Sequence, residues 1–259
     1  MKDLKSIQNL LSDVEELFEK DFKNQTDGKL SNNLTDQVIL GLLVKSSKTI
    51  RAIKLISYGF GEDCIVLART IFENYLNVKY ILDEDEENRS KLFIYHGFYD
   101  GFKKIDNGLL NGIEKKSLEE IYTPEVREET AKIRDREYRC LKEKGMKTKK
   151  ESWSLRSMKD MAEEIGETES YEKIYWVMSL YTHPSANSLR DYVQSKGKNL
   201  TFLDVPSANN IEEGLIVAID FFLKLLKMLC ERFGIEIMNK LSNARDGLER
   251  IISEEKKDE

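Results

Sequence analysis

Turn-forming residues are scarce in this chain. Three prolines and 14 glycines serve 259 residues, too few for the closely spaced turns of a β-sandwich or barrel. Histidine is rarer still, present only as His96 and His183. The cysteines, Cys64, Cys140 and Cys230, are odd in number and far apart, with no Cys-x-x-Cys pair. That spacing excludes a disulfide scaffold and the usual zinc modules. The sequence therefore predicts no metal site, no cofactor, reduced thiols and a cytoplasmic location. No stretch of 18 uncharged apolar residues exists, and even "FFLKLLKMLC" (221–230) is interrupted by Lys224 and Lys227, so no membrane span is expected. The N-terminal stretch is acidic and amphipathic, unlike a signal peptide. Gly-rich phosphate loops, nucleophile elbows and Walker sequences are absent as well.

What is present is charge and helical periodicity. Hydrophobic residues make up 40% of the chain and charged residues 34%, a mixture that suits long amphipathic helices. The pattern predicts helices at 3–24, from Thr35 or Asp36 to 57, 62–82, from the acidic "DEDEEN" through "RSKLFIYHGFYDGFKKI", 115–121, 125–144, within 152–166, 171–183, 210–233 and 235–254. "NLTFLDVP" is the one stretch that reads as extended. No repeat or Gly/Ser linker divides the chain. The reading is all-α: a single helical-bundle domain over 1–259, of about eight to ten helices, with a flexible loop near 145–152 and a charged tail at 254–259.

The net charge of −6 argues against broad nucleic-acid binding, which rests on many phosphate contacts. Segment 134–150, "RDREYRCLKEKGMKTKK", is the exception, with eight basic and three acidic residues. It reads either as a solvated helix end or as a surface for an anionic partner.

Two polar features stand out against the apolar background. Residues 171–183 are apolar or aromatic nearly all round a helical wheel, which predicts a buried helix. Ser179 and His183 fall on neighbouring turns of it, and Pro184 ends it, placing the imidazole at a helix C-terminus. On the third helix Arg69, Glu73 and Asn77 recur every four residues, followed by Tyr80. That ridge is either a solvent face or a charged pair aimed into an interhelical groove, where it would orient His183.

Three stretches, "LARTIFENYLNVKYIL" (67–82), "SWSLRSMKDMAEEIG" (152–166) and "YEKIYWVMSLYTHPS" (171–185), together resemble a bacterial all-helical family, domain-of-unknown-function family 5677. The shared elements are Arg69 followed by Glu73, Trp153 before a short helix, and the run Tyr171, Tyr175, Ser179, His183. The resemblance implies a helical fold and favours an inward Arg-Glu-Ser-His cluster. It carries no activity, substrate or cofactor.

Two functions remain open at this level. One is a binding or regulatory module whose polar cluster holds an unknown small ligand, a protein partner or a second copy of the chain. The other is a metal-independent ribonuclease. "RSKLFIYH" (89–96) puts Arg89 and His96 seven apart on one helical side and resembles the Arg-x(4–6)-His motif of HEPN nucleases, which implies catalysis by Arg89 and His96 on a phosphodiester. Ser90 departs from that motif, whose second position prefers an amide or acid.

Overall fold

A computed structural model describes residues 4–26, 30, 33–109, 112–121, 123–182, 192–196, 199–203 and 210–255. Helices dominate. They are α1 (Leu4–Glu16), which continues through a π-helical stretch at Leu17–Phe22 to Lys23–Thr26, α2 (Leu34–Ile56), α3 (Gly61–Asp83), α4 (Glu86–Asp106), α5 (Gly112–Ile121) and α6 (Pro124–Glu143). After these come α7 (Met158–Glu164), α8 (Trp176–Thr182), α9 (Ile211–Phe233) and α10 (Met238–Glu255). The chain is all-α, as its composition predicts. The one sheet among the described residues is a hairpin, β1 (Val193–Lys196) antiparallel to β2 (Asn199–Phe202); the extended reading anticipated β2 and missed β1.

Local chemistry explains the boundaries. The cap of α2 is Asn33, two or three residues before the expected Thr35 or Asp36. Its Oδ1 accepts from the Asp36 backbone N–H at 2.8 Å, a side-chain N-cap, and its Nδ2 donates to the Asp36 carboxylate at 3.0 Å. Ser157 and Asp160 form a full capping box at α7, in which the Asp160 carboxylate also accepts from the Ser157 backbone N–H at 3.1 Å. Pro124 takes the first turn of α6, where its missing N–H costs nothing. Gly166 follows α7 with φ of 73°, and the next N–H, of Glu167, returns to the Ala162 carbonyl at 2.7 Å, which closes the helix end as a left-handed glycine allows.

The described residues gather into two compact units. The first comprises those of Met1–Ser31, Gly41–Val78 and Thr168–Glu259. Its centre is α9, whose Leu215, Ala218, Ile219, Phe221, Phe222, Leu225, Leu226 and Leu229 are all buried. Burying each large side chain of this kind stabilises by roughly 1.5–3 kcal/mol. Phe221 meets Phe72 edge-on at 4.6 Å and Phe222 meets Phe18 at 6.1 Å, so α9 is gripped by α3 and by the π-helical stretch after α1. The buried amide of Asn74 is satisfied by Ser46 Oγ at 3.0 Å.

The second unit comprises the described residues of Asn32–Leu40 and Lys79–Glu167. Trp153 packs edge-on against Tyr80 and Phe93, which anchors the chain ahead of α7. Residues 145–152, expected as a loop, have no helix; Met146 N–H donates to Leu141 O and Lys149 N–H to Leu155 O. The tail expected at 254–259 lies outside the described residues from 256 onward.

Candidate functional site

In the first unit, α3 is buried on more than one side. Ala68, Ile71, Phe72 and Tyr75 are buried, as are Asn74 and Asn77, the last a member of the polar ridge. Arg69 and Glu73 face the segment 168–182, so this part of the ridge is not a plain solvent face. Arg69 Nε donates to Glu73 at 2.8 Å, and Arg69 Nη2 donates to the Tyr175 hydroxyl at 2.5 Å. The guanidinium also lies over the Tyr175 ring, 4.4 Å from its centre. Tyr171 stacks on Tyr175 with ring centres 4.5 Å apart. Burial raises the Tyr175 hydroxyl above the ordinary phenol range, and the charge of Arg69 opposes that rise. The hydroxyl is therefore a neutral partner that accepts from the guanidinium. Arg69 Nη1 is buried and has no hydrogen-bond partner among the described residues.

Ser179 does not join this pair: its hydroxyl donates to its own helix, at the Tyr175 carbonyl, 2.7 Å away. His183, with Pro184, lies outside the described residues. The structure thus brings Arg69, Glu73, Tyr171 and Tyr175 together and leaves Ser179 beside them.

The helix that carries these tyrosines is not buried as its apolar wheel predicted. Trp176 is 63% exposed and Val177 38% exposed, and Met178 alone is buried in α8. Tyr171–Tyr175 is π-helical, which shifts every later residue from a uniform 100° step, and an all-round apolar surface is buried only where other elements cover every side; among the described residues none covers Trp176. Ile174, Val177 and the buried Met178 border a partly open apolar cavity of about 200 Å³, together with Ile65, Ala68, Gly214 and Val217. Lys173 and Glu213 supply its polar lining.

In the second unit, Arg89 and His96 have different surroundings. Arg89 is buried, donates to the Tyr80 carbonyl and to Glu164 at 2.8 Å, and stacks on the Tyr80 ring at 3.8 Å. Glu164 is shared with Arg156 at 2.9 Å. Arg89 borders a cavity of about 510 Å³ that includes Glu84, Arg136, Glu137 and Lys144. His96 borders a separate one and accepts, through Nδ1, from Arg134 Nη1 at 3.2 Å. The seven-residue spacing puts both on α4 but does not bring them to one site.

Sequence reasoning missed the partner of His96. Segment 134–150 was conspicuous for its charge, but which of its cations meets α4 depends on how α4 and α6 pack, and no local pattern encodes that register. Among the described residues, no three His, Cys, Asp or Glu side chains converge as metal ligands would, and no helix is long and apolar enough to cross a membrane.

Comparison with known proteins gives one match. No curated protein and no solved structure is significantly similar to the chain. A family model described as "Family of unknown function (DUF5677)" matches residues 36–200, a span that includes Arg69, Glu73, Tyr171 and Tyr175. That match covers well over half of the chain, which therefore belongs to the DUF5677 family of unknown function.

Proposed function

We propose that this chain is a cytoplasmic binding module that acts without turnover, and that it holds a small apolar ligand in the cavity between α3, α8 and α9. The observation that carries this reading is the sharing of Arg69 between Glu73 and Tyr175. That sharing ties an otherwise half-exposed segment, 171–182, to α3, and so fixes one wall of an apolar cavity of about 200 Å³. Apolar cavities of roughly this volume accept small hydrocarbons. The lining offers no nucleophile paired with a base, which argues for binding rather than chemistry. Reduced cysteines support the cytoplasmic location.

The ribonuclease alternative draws no comparable support. Its arginine, Arg89, is committed to Glu164 and the Tyr80 carbonyl, and it borders a different cavity from His96.

The test is thermal melting of the full chain with toluene or indole. Both are expected to raise the melting temperature of the wild-type protein and to have no effect on Val177→Trp, in which the larger side chain occupies the cavity. Melting curves of the wild type unmoved by either compound at saturation would overturn the reading.

A further inference from the structure

The cavity beside His96 has a composition that the apolar-ligand reading does not use. It lies within the second unit and encloses about 420 Å³, within the range of sites for small organic ligands. α4 contributes His96, Tyr99 and Lys103, α6 contributes Arg134 and Tyr138, and the following loop contributes Lys150. Asp135 and Glu151 complete the charged lining.

The geometry points to a binding site for a mononucleotide, a phosphorylated ligand that carries a flat ring and a ribose. Three kinds of group support it. Lys103 and Lys150 make no ion pair with any carboxylate among the described residues, and Lys150 lies 5.5 Å from the Tyr138 ring centre. Ammonium groups at a cavity edge that no carboxylate pairs with are suited to a phosphate. Tyr99 and Tyr138 are both partly exposed; Arg134 lies over the Tyr99 ring at 5.1 Å, and Lys142 and Lys150 lie 5.7 and 5.5 Å from the Tyr138 ring centre, so a base here would meet the aromatic rings together with cations, the mixture that single-stranded nucleic-acid sites use. Asp135 and Glu151 supply acceptors of the kind that ribose hydroxyls take.

Arg134 organises the site. Its Nη1 donates to His96 Nδ1 at 3.2 Å and its Nη2 to the Lys150 carbonyl at 2.9 Å. A guanidinium only donates, so Nδ1 is the acceptor and the imidazole carries its proton on Nε2. His96 Nε2–H is then a fixed donor on α4, and the backbone at Lys150 is tied to α6. The surrounding segment 134–150 has eight basic residues to three acidic ones, which favours approach of an anion to this side of an otherwise acidic chain.

Calorimetric titration of the full chain with AMP, adenosine and inorganic phosphate tests the assignment. AMP is expected to bind, with adenosine and phosphate each weaker. Lys103→Gln combined with Lys150→Gln should weaken AMP binding by about tenfold or more, as loss of charged contacts does, while adenosine binding stays unchanged. Tyr138→Ala should weaken adenosine and AMP together. These positions are at the surface or half-buried, so an unchanged melting curve for each variant checks that it folds. With two histidines in the chain, imidazole NMR signals assign readily through His96→Asn, and AMP should shift those of His96. No heat and no His96 shift at millimolar AMP would overturn the proposal, as would undiminished AMP binding by the double lysine variant. An oligoribonucleotide bound tenfold or more tighter than AMP would overturn the mononucleotide assignment in favour of a polymer.

Discussion

Gly214 on α9 lies against Cys64 on α3 so closely that a β-carbon added to it would stand 3.0 Å from the Cys64 β-carbon, 3.1 Å from its carbonyl carbon and 3.1 Å from the Ile65 nitrogen. Two of these atoms are backbone and cannot swing aside. Gly→Ala within a helix ordinarily stabilises by up to ~1 kcal/mol. Here overpacking of ~1–3 kcal/mol opposes it. Gly214→Ala is therefore expected to lower stability in urea unfolding by about 1 kcal/mol. A variant more stable than wild type would show that α3 and α9 separate without cost.

The Arg69–Tyr175 contact combines a hydrogen bond at 2.5 Å with a stacked guanidinium. Tyr175→Phe removes the first and keeps the second. It should cost about 1 kcal/mol, the usual loss for one such bond. Tyr175→Ala removes both and should cost more. A double-mutant cycle between Arg69→Met and Tyr175→Phe is expected to give a coupling of ~0.5–1.5 kcal/mol. A coupling near zero would mean that the contact does not hold the segment 168–182 in place.

α9 and α8 show where the sequence was readable and where it was not. The helix at 210–233 is expected from its pattern, and α9 is regular through 23 residues and forms the buried centre of its unit. The segment 171–183 is expected to be buried because it is apolar nearly all round, yet it opens with five π-helical residues, which no propensity marks, and Trp176 and Val177 are exposed. Caps and breakers were legible to within two or three residues because their chemistry is local, as with Pro124, Gly166 and the start of α2. The Arg69–Glu73 pair was legible because an i,i+4 spacing is local too. That Tyr175 is its third member, or that His96 meets Arg134 rather than Arg89, depends on packing between segments tens of residues apart.

Arg89 offers a direct contrast between a structural and a catalytic arginine. It neutralises Glu164 within a buried cluster. Removing one member of such a pair costs ~3–5 kcal/mol, because the remaining charge is left buried. Arg156 also bonds Glu164 and softens the loss, so Arg89→Met should cost about 2–3 kcal/mol in chemical unfolding. A change under 0.5 kcal/mol would reopen the question of what Arg89 is for.

The buried thiols set an alkaline limit. Burial, aided by Asp63 and Glu62, pushes Cys64 from 9.0 up to about 12, and burial with Glu231 does the same to Cys230. Their neutral forms are favoured by the fold. Stability from both is fully present below pH ~9 and is lost as pH rises towards 12, because the unfolded chain gives up these protons first. Denaturant midpoints should fall steadily above pH 9. At pH 8, Ellman's reagent should modify Cys140 alone in the folded chain and all three thiols in urea. Rapid modification of three thiols in the folded protein would contradict this packing.

Glu137 supplies the opposite kind of pH test. Its carboxylate borders the cavity near Arg89 and makes no hydrogen bond or close ion pair among the described residues. Burial raises its affinity for a proton; the charge of Arg89 works against this, and Glu164 works with it. A carboxyl whose folded value is raised contributes stability in acid, where it is protonated in both states, and loses it as pH rises through the folded value. At neutral pH the ionised Glu137 therefore weakens the fold. Glu137→Gln keeps the shape and removes the charge. It is expected to raise the urea midpoint at pH 7, by an amount worth up to ~1 kcal/mol given the half exposure of the group, and the gain should shrink as pH falls towards 4. A loss of stability at pH 7, or a gain that grows in acid, would show that Glu137 is held as an anion by Arg89 and Lys144 instead.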